Sequence, residues 1–311
     1  MLTIKEKNFV SAVVYIHNNE STIGEFLKNI AEVLTNNFEK YEIICVNDHS
    51  TDASVQEIKK VNKTKSGAIS IINLSFYQGL EMAMNAGIDL AIGDFVYEFD
   101  SAVMDYPIDM IMKIYHRSLE GFDIVSVGPL IVKRASSKFF YKIYNKYSKT
   151  NYKIQTESFR ILSRRAINRV HSMSRTIPYR KAFYANCGLR HEFINYENQA
   201  LDKSKQTQLL KESRKDTAIN SIILFTDVAY KFAITLTVLM MIVALVVAVY
   251  TVVIFMGDVK PVEGWTTTML FLSFAFFGVF AISAIMIKYL SIILELIFKK
   301  QRYTIESIEK L

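Results

Sequence analysis

Cysteine is scarce in this chain. Two residues in 311, Cys45 and Cys187, are too few for a disulfide framework. Cys45 stands in an apolar strand-like run and Cys187 is isolated, so both are expected to be free thiols in a reducing compartment. Histidine is also sparse, with five residues, and His17, His49 and His191 form no metal-ligand spacing. Zinc-finger and homeodomain patterns are missing, and no nucleic-acid partner is expected. The opening residues, MLTIKEKNFVSAVVYIHNNES, contain no apolar run of signal-peptide length, which places the N-terminal part in the cytoplasm as an expectation. One further lack concerns chemistry. In GDFVYEFDSAVMDYP, an apolar strand ends in Asp100, yet two residues on stands Ala102, which ligates nothing.

What is present is a regular alternation of patterns. FVSAVVYIHN reads as a strand, and the following segment has helical spacing at Ile23, Phe26, Leu27, Ile30, Val33 and Leu34, with Ser21 as the expected N-cap. YEIICVN, GAISIINLS and DFVYEFD read as further strands, with SVQEIKKV and QGLEMAMNAGIDLAIG as helices between them. Next come a helix with Pro107 near its first turn, the strand FDIVSVG, an aromatic and basic amphipathic segment at SKFFYKIYNKYSK, and a strand-to-helix transition in QTESFRILSRRAINRV. AFYANCGLRHEFINYEN is expected to supply late strands. Such alternation predicts an α/β domain with a mostly parallel sheet. Ligands of such sheets sit at the carboxyl ends of the strands, where Asn18, Asp48 and Asp100 all fall.

The last third differs. Apolar residues make up 51% of the chain, and the excess is concentrated there. Residues 232–256 and 269–287 are nearly all apolar and carry no charge, each long enough as a helix to cross roughly 30 Å of hydrocarbon. The formal charge is +7, and basic residues flank these runs at Lys203, Lys205, Lys211, Arg214, Lys215 and Lys231 before them and Lys299, Lys300 and Arg302 after them. That placement predicts a transmembrane hairpin with both flanks inside, lying against anionic lipid. TAINSIILFTDVAYKF and YLSIILELIFKK are expected as interfacial amphipathic helices.

Several side chains have chemistry to offer. Asp48, in VNDHSTD, suits a hydrogen bond from a nucleobase or ribose, or equally an Asx-turn, and Asp52 suits a helix cap. Asp100 and Asp105 suit Mg²⁺ or Mn²⁺ shared with a diphosphate, with Ser101 as a weak donor, or a solvated sheet rim. Glu98 alternates with Asp100 and shares its face. Arg134, Lys138, Arg160, Arg164 and Arg165 form a cationic series suited to phosphate, and Arg160 stands out because SFRIL surrounds it with apolar neighbours.

Taken together, VVYIHNNES, EIICVNDHSTDAS, QGLEMAMNAGIDLAIGDFVYEFD, ESFRILSRRAI and the Gly-Trp loop with its following apolar run resemble a family 2 glycosyltransferase of GT-A fold. The subgroup is similar to bacterial polyprenyl-phosphate glycosyltransferases, relatives of dolichol-phosphate mannose synthase. The resemblance implies a GT-A (Rossmann-like), mostly parallel sheet domain over 1–215, a juxtamembrane amphipathic segment over 216–231, spans at 232–257 and 268–288 joined by an external loop at 258–267, and a C-terminal interfacial helix and tail over 289–311. It implies a multi-pass protein of the bacterial inner membrane, with its catalytic domain and termini cytoplasmic. The implied reaction moves a hexose from a UDP-sugar, less readily a GDP-sugar, to polyprenyl phosphate with inversion, using Mg²⁺ or Mn²⁺. The alternative is a catalytically impaired, membrane-anchored relative that binds nucleotide or protein partners. A homo-tetramer or homo-dimer is implied, without nucleic acid. Asp100, Asp105 and Arg160 become the catalytic set, with Asp100 and Asp105 on the metal, and Asn18, Glu20, Asp48, Ser101, Arg134, Ser137 and Lys138 become substrate-binding. The family reads D-A-D-L-Q-D-P-P where this chain reads DSAVMDYP, so Ala102 replaces the second metal acid, which leaves three alternatives: Asp105 or Glu157 substitutes, metal binding is weak, or catalysis is lost.

Overall fold

The computed structural model describes residues 5–62, 68–130, 141–142, 144–146, 152–173, 179–197 and 305–310, together with isolated helical positions between 235 and 293. The chain divides into two compact units. One comprises Met1–Lys146, Thr150–Ala218 and Lys300–Leu311; the other comprises Tyr147–Lys149 and Ile219–Lys299.

The first unit is built on a central parallel strand, β1 (Val10–Ile16), all seven residues of which are buried. A strand buried throughout and apolar but for Ser11 suits a position covered on both faces. Its alternation sorts the two layers: Val10, Ala12, Val14 and Ile16 face one apolar cluster, Val13 and Tyr15 the other. β2 (Tyr41–Asn47) and β4 (Phe95–Phe99) pair with it in parallel on either side, and β3 (Ala68–Leu74) extends the sheet beyond β2. Helices α1 (Ile23–Asn37), α2 (Ser54–Asn62) and α4 (Met110–Leu119) supply apolar residues to the first cluster. α3 (Leu80–Leu90), α5 (Arg164–Met173) and α6 (Arg180–Asn186) supply them to the second.

The sheet is mixed. Its order is β7-β5-β6-β4-β1-β2-β3-β8, with β5 at Ile124–Pro129, β6 at Phe159–Ser163, β7 at His191–Tyr196 and β8 at Ile305–Lys310. β6 runs antiparallel to both β4 and β5, and β8 antiparallel to β3. Four of the seven strand pairings are therefore parallel. AFYANCGLRHEFINYEN divides into α6 and a single strand, β7. β8 was not expected at all. Along β1, chain order proceeds to β2 and β3 on one side and returns to β4 on the other, so the switch point of the sheet lies between β1 and β4. Crevices outside the carboxyl ends at such a point hold ligands.

The transmembrane hairpin, and with it the multi-pass inner-membrane placement and membrane-bound transfer, must be corrected. Among the described residues no helix is long and apolar enough to cross a membrane. A span needs about 20 consecutive apolar residues. The longest helix above, α1, has 15 residues and carries Glu25, Lys28 and Glu32 opposite its buried face. Most of 232–257 and 268–288, and all of 216–231, lie outside the described residues, as does most of the expected interfacial segment in 289–300.

Candidate active site

Two loops close over the ends of β1 and β2. Asn18 and His49 both take left-handed backbone, each with φ of 54°. Asn18 N–H donates to Ser50 Oγ (3.1 Å), and Asn18 Oδ1 accepts from Thr51 N–H (2.8 Å). Glu20 N–H donates to Asp52 Oδ2 (2.9 Å), while Glu20 Oε2 accepts from Ala53 N–H (2.9 Å). Asn18 and Glu20 thus fasten the β1 loop to the β2 loop. Asp52 Oδ1 accepts from Ser54 N–H at 3.0 Å and caps the start of α2.

Asp48 has no exposed surface. Its Oδ1 accepts from Gln78 N–H (2.7 Å), and its Oδ2 from Gly79 N–H (2.8 Å) and the Tyr15 hydroxyl (3.0 Å). Gly79 has φ of 86°, a conformation that suits glycine and aims its N–H at the carboxylate. Burial raises the Asp48 carboxyl above its ordinary range, against the backbone donor of Gln78 and the Tyr15 hydroxyl, which lower it. Asp48 therefore holds the turn before α3 against β2. His17 Nδ1 donates to the Asp48 carbonyl at 2.7 Å, and its ring lies 4.8 Å from that of Tyr77. These rings, with the Asn18 and His49 turns, form one rim of the crevice at the ends of β1 and β2.

The second half of the site follows from strand register. Antiparallel pairing sets Glu98 directly opposite Arg160, and Asp100 stands two residues beyond Glu98. Arg160 is fully buried and contacts three carboxylates: Glu98 Oε2 at 2.5 Å, Glu157 Oε2 at 2.8 Å and Asp100 Oδ2 at 2.9 Å. Arg180, at the start of α6, meets the same group from another direction. Its Nη2 donates to Asp100 Oδ1 at 2.8 Å, and its Nε to Glu81 Oε2 at 2.9 Å. Its Nη1 lies 3.0 Å from Glu98 Oε2 without the alignment of a hydrogen bond. The Tyr184 hydroxyl donates to Glu98 Oε1 at 2.5 Å, and its ring lies 5.5 Å below the Arg160 guanidinium. Burial alone would raise Asp100, but Arg160 and then Arg180 outweigh it and hold the carboxyl well below its usual range. Burial would likewise lower Lys181, yet Tyr141 and Glu157 more than offset this and keep its pKa raised. Breaking one partner out of such a buried group costs on the order of 3–5 kcal/mol.

Asp100 and Arg160 are thus in direct contact. Asp105 is half-buried, with Oδ1 accepting from the Tyr196 hydroxyl at 3.0 Å, and Ser101 is exposed. Ala102 is buried in the cluster that contains Phe99, Tyr106 and Met110. Arg134, Ser137 and Lys138 lie outside the described residues. Sequence reasoning missed Arg180, Lys181 and Glu81. One signal was available: Arg180 and Lys181 precede an apolar stretch, Ala182 to Ala185, much as Arg160 sits within SFRIL. A cleft of about 550 Å³ between α4 and β7, lined by Lys113, Arg117, Glu192 and Phe193 among others, includes none of these residues.

Comparison with known proteins now bears on this arrangement. The family profile "Glycosyl transferase family 2" matches residues 11–171, more than half of the chain and the whole stretch from β1 into α5. The chain belongs to glycosyltransferase family 2. Membership in this family supports an enzyme of glycosyl transfer. An uncharacterized glycosyltransferase of Synechocystis is 30% identical over 196 residues, covering 61% of each chain. The bactoprenol glucosyl transferase of Shigella phage SfV is 28% identical over 200 residues, 60% of this chain and 62% of that one. The matches span less than two thirds of these relatives' length. Weak similarity to bactoprenol glucosyl transferases is as far as the subgroup extends; a specific tie to dolichol-phosphate mannose synthase is not borne out. The structure of a mannosyltransferase from Pyrobaculum calidifontis, in complex with GDP-Man and Mn²⁺, aligns with a TM-score of 0.52 at 16% identity, covering 87% of this chain and 86% of that one. A Mycobacterium tuberculosis glucosyl-3-phosphoglycerate synthase with Mn²⁺ and UDP aligns at 0.51 and 12%, covering 70% of this chain and 76% of that one. Both share the fold of this family 2 chain.

The metal in those two structures can be tested against the side chains present here. Both oxygens of Asp100 are engaged by guanidinium groups, and the neighbouring position is a buried methyl group. Among the described residues no group of three or more His, Cys, Asp or Glu side chains could hold a metal ion. The residues around Asp100 do not fit a divalent cation.

Proposed function

We propose that this chain transfers a sugar from a nucleoside-diphosphate sugar, with UDP-sugars as the first donors to test and GDP-sugars the second. The observation that carries this reading is convergence. Asn18, Asp48 and Asp100 follow the carboxyl ends of β1, β2 and β4, three strands that lie side by side across the switch point. The nucleoside would lie against the Asn18 and His49 turns beside His17 and Tyr77. The diphosphate would lie toward Asp100, where Arg180 and Lys181 supply positive charge. Asp105, the half-buried acid nearest in sequence, is the residue we assign to the acceptor side. Orientation and charge compensation then supply most of the acceleration. A phosphate-bearing acceptor is already anionic and needs little help from a base. The printed names of the bactoprenol relatives make polyprenyl phosphate the first acceptor to try.

Radiolabelled UDP- and GDP-hexoses incubated with the purified chain and detergent-dispersed polyprenyl phosphate test the reading. A labelled lipid product is expected, and it should disappear in Asp105→Asn. Intact donor across the whole panel would reject transfer. Ala102 favours one second reading, a relative that binds the donor without turning it over. Saturable donor binding with no released nucleotide would support it.

A further inference from the structure

The acids that face the proposed diphosphate are already partnered. Asp100 gives Oδ2 to Arg160 and Oδ1 to Arg180, at 2.9 and 2.8 Å. Glu98 is fully buried between the same two arginines. Asp105 Oδ1 is taken by Tyr196, and Ala102 is 1% exposed among apolar neighbours. A cation arriving at Asp100 would have to separate it from two guanidinium groups and would find no second acid at position 102. The cluster opens to solvent at Asp100 and Glu81, each 15% exposed, and at Lys181, 12% exposed. Arg180 Nη1 is buried and lies 3.0 Å from Glu98 Oε2 without the alignment of a hydrogen bond. Three cations, Arg160, Arg180 and Lys181, stand against four carboxylates, Glu81, Glu98, Asp100 and Glu157. The cluster thus carries a single net negative charge without a metal, and losing one arginine would double it at a phosphate site.

We infer that Arg180, backed by Arg160, takes the part of a divalent cation at the diphosphate end of the donor site, so that the chain binds a nucleoside diphosphate without metal. This rests on the donor site proposed above. A diphosphate oxygen arriving at the Asp100 opening would meet the guanidinium that now holds Asp100 Oδ1, and a planar guanidinium suits it better than an ammonium. Lys181, next in the chain, adds a second positive charge near the same opening.

The test is a binding titration of UDP and of GDP by calorimetry, in EDTA and in Mn²⁺, with uridine followed separately by saturation-transfer NMR. Affinity for the better diphosphate should agree within about threefold between the two buffers. Arg180→Gln should weaken it tenfold or more while leaving uridine within about twofold, and Arg180→Lys should fall between. A loss of structure would weaken both ligands together, so an equal loss counts against a phosphate contact. Should Arg180→Gln fail to fold, the buffer comparison on the unaltered chain decides alone. Diphosphate binding that drops tenfold or more in EDTA overturns the inference and leaves the donor site standing. Failure of both diphosphates in both buffers overturns the donor site as well.

Discussion

Arg160 and Arg180 are among the largest fully buried side chains described, and that fact governs the residue scale. A buried guanidinium persists only if carboxylates and hydrogen bonds satisfy it. Arg160→Met would strand Glu98, Glu157 and Asp100 around an apolar side chain. We expect a loss of about 3–5 kcal/mol in urea unfolding, and a smaller loss when Glu98→Gln is combined with it. A single-variant loss below about 1 kcal/mol, the scale of an exposed pair, would mean the cluster is solvated. Asp100 adds a pH signature. Its carboxyl is held below the ordinary value, so the folded state binds fewer protons than the unfolded state in acid. The resulting stability is complete above the unfolded pKa of about 3.9 and is lost as pH falls from there toward the folded value. Asp100→Asn should therefore flatten the fall of the urea midpoint between about pH 4 and pH 2. An unchanged slope would show that Asp100 is not the paired group.

At the scale of elements, helix α3 shows where the fold is tight. A methyl group at Gly87 would meet Val13 Cγ1 at 2.3 Å and Val46 Cγ2 at 2.8 Å, both on central strands. In an exposed helix, alanine gains about 1 kcal/mol over glycine. Here overpacking should win, and Gly87→Ala is expected to destabilise by about 1–3 kcal/mol, read by thermal or urea unfolding. A stabilised variant would place α3 farther from the sheet than it lies. The elements through α4 were legible because their apolar spacing is local: Val10–Ile16 is apolar but for Ser11, and Ile23, Phe26, Leu27, Ile30 and Leu34 repeat on one helical face. Arg160 was legible for a similar reason, since it is a lone cation in SFRIL. Its partners were not all so. Glu157 is three residues away, whereas Arg180 reaches Asp100 across 80 positions, a contact that only the antiparallel entry of β6 and the placement of α6 create. For Asp48 the residues alone leave a ligand contact and an Asx-turn equally open, and the family resemblance favours the ligand. Turning toward Gln78 and Gly79 depends on a loop whose path no local pattern reveals.

At the scale of the whole molecule, the chain returns to its first unit through β8. Ile305–Lys310 pairs antiparallel with β3, and Lys59 Nζ meets Glu309 Oε2 at 2.5 Å. A polar series runs inward from there: Ser307 Oγ accepts from Asn73 Nδ2 (2.9 Å), and Asn73 Oδ1 accepts from Asn47 Nδ2 (2.9 Å), one residue before Asp48. IESIEK is too charged to announce a strand, and its partner lies more than 230 residues earlier. Removing 305–311 would bare the β3 edge, and an unpaired edge invites association. We expect a lower melting temperature and concentration-dependent aggregation by light scattering. An unchanged melt would mean that β8 contributes little to this unit. The charge-free runs 232–256 and 269–287 led sequence reasoning to a membrane hairpin, because apolar length alone cannot distinguish a spanning helix from other apolar structure.

The central claim is that a nucleoside-diphosphate sugar binds across the carboxyl ends of β1, β2 and β4. Hydrogen–deuterium exchange with and without UDP tests it most directly, at peptide resolution over the whole chain. The account predicts slowed exchange confined to peptides covering 17–20, 48–52, 77–81 and 100–105, with a smaller effect at 179–182. Protection centred on α4 and β7, or none at saturating UDP, would contradict it.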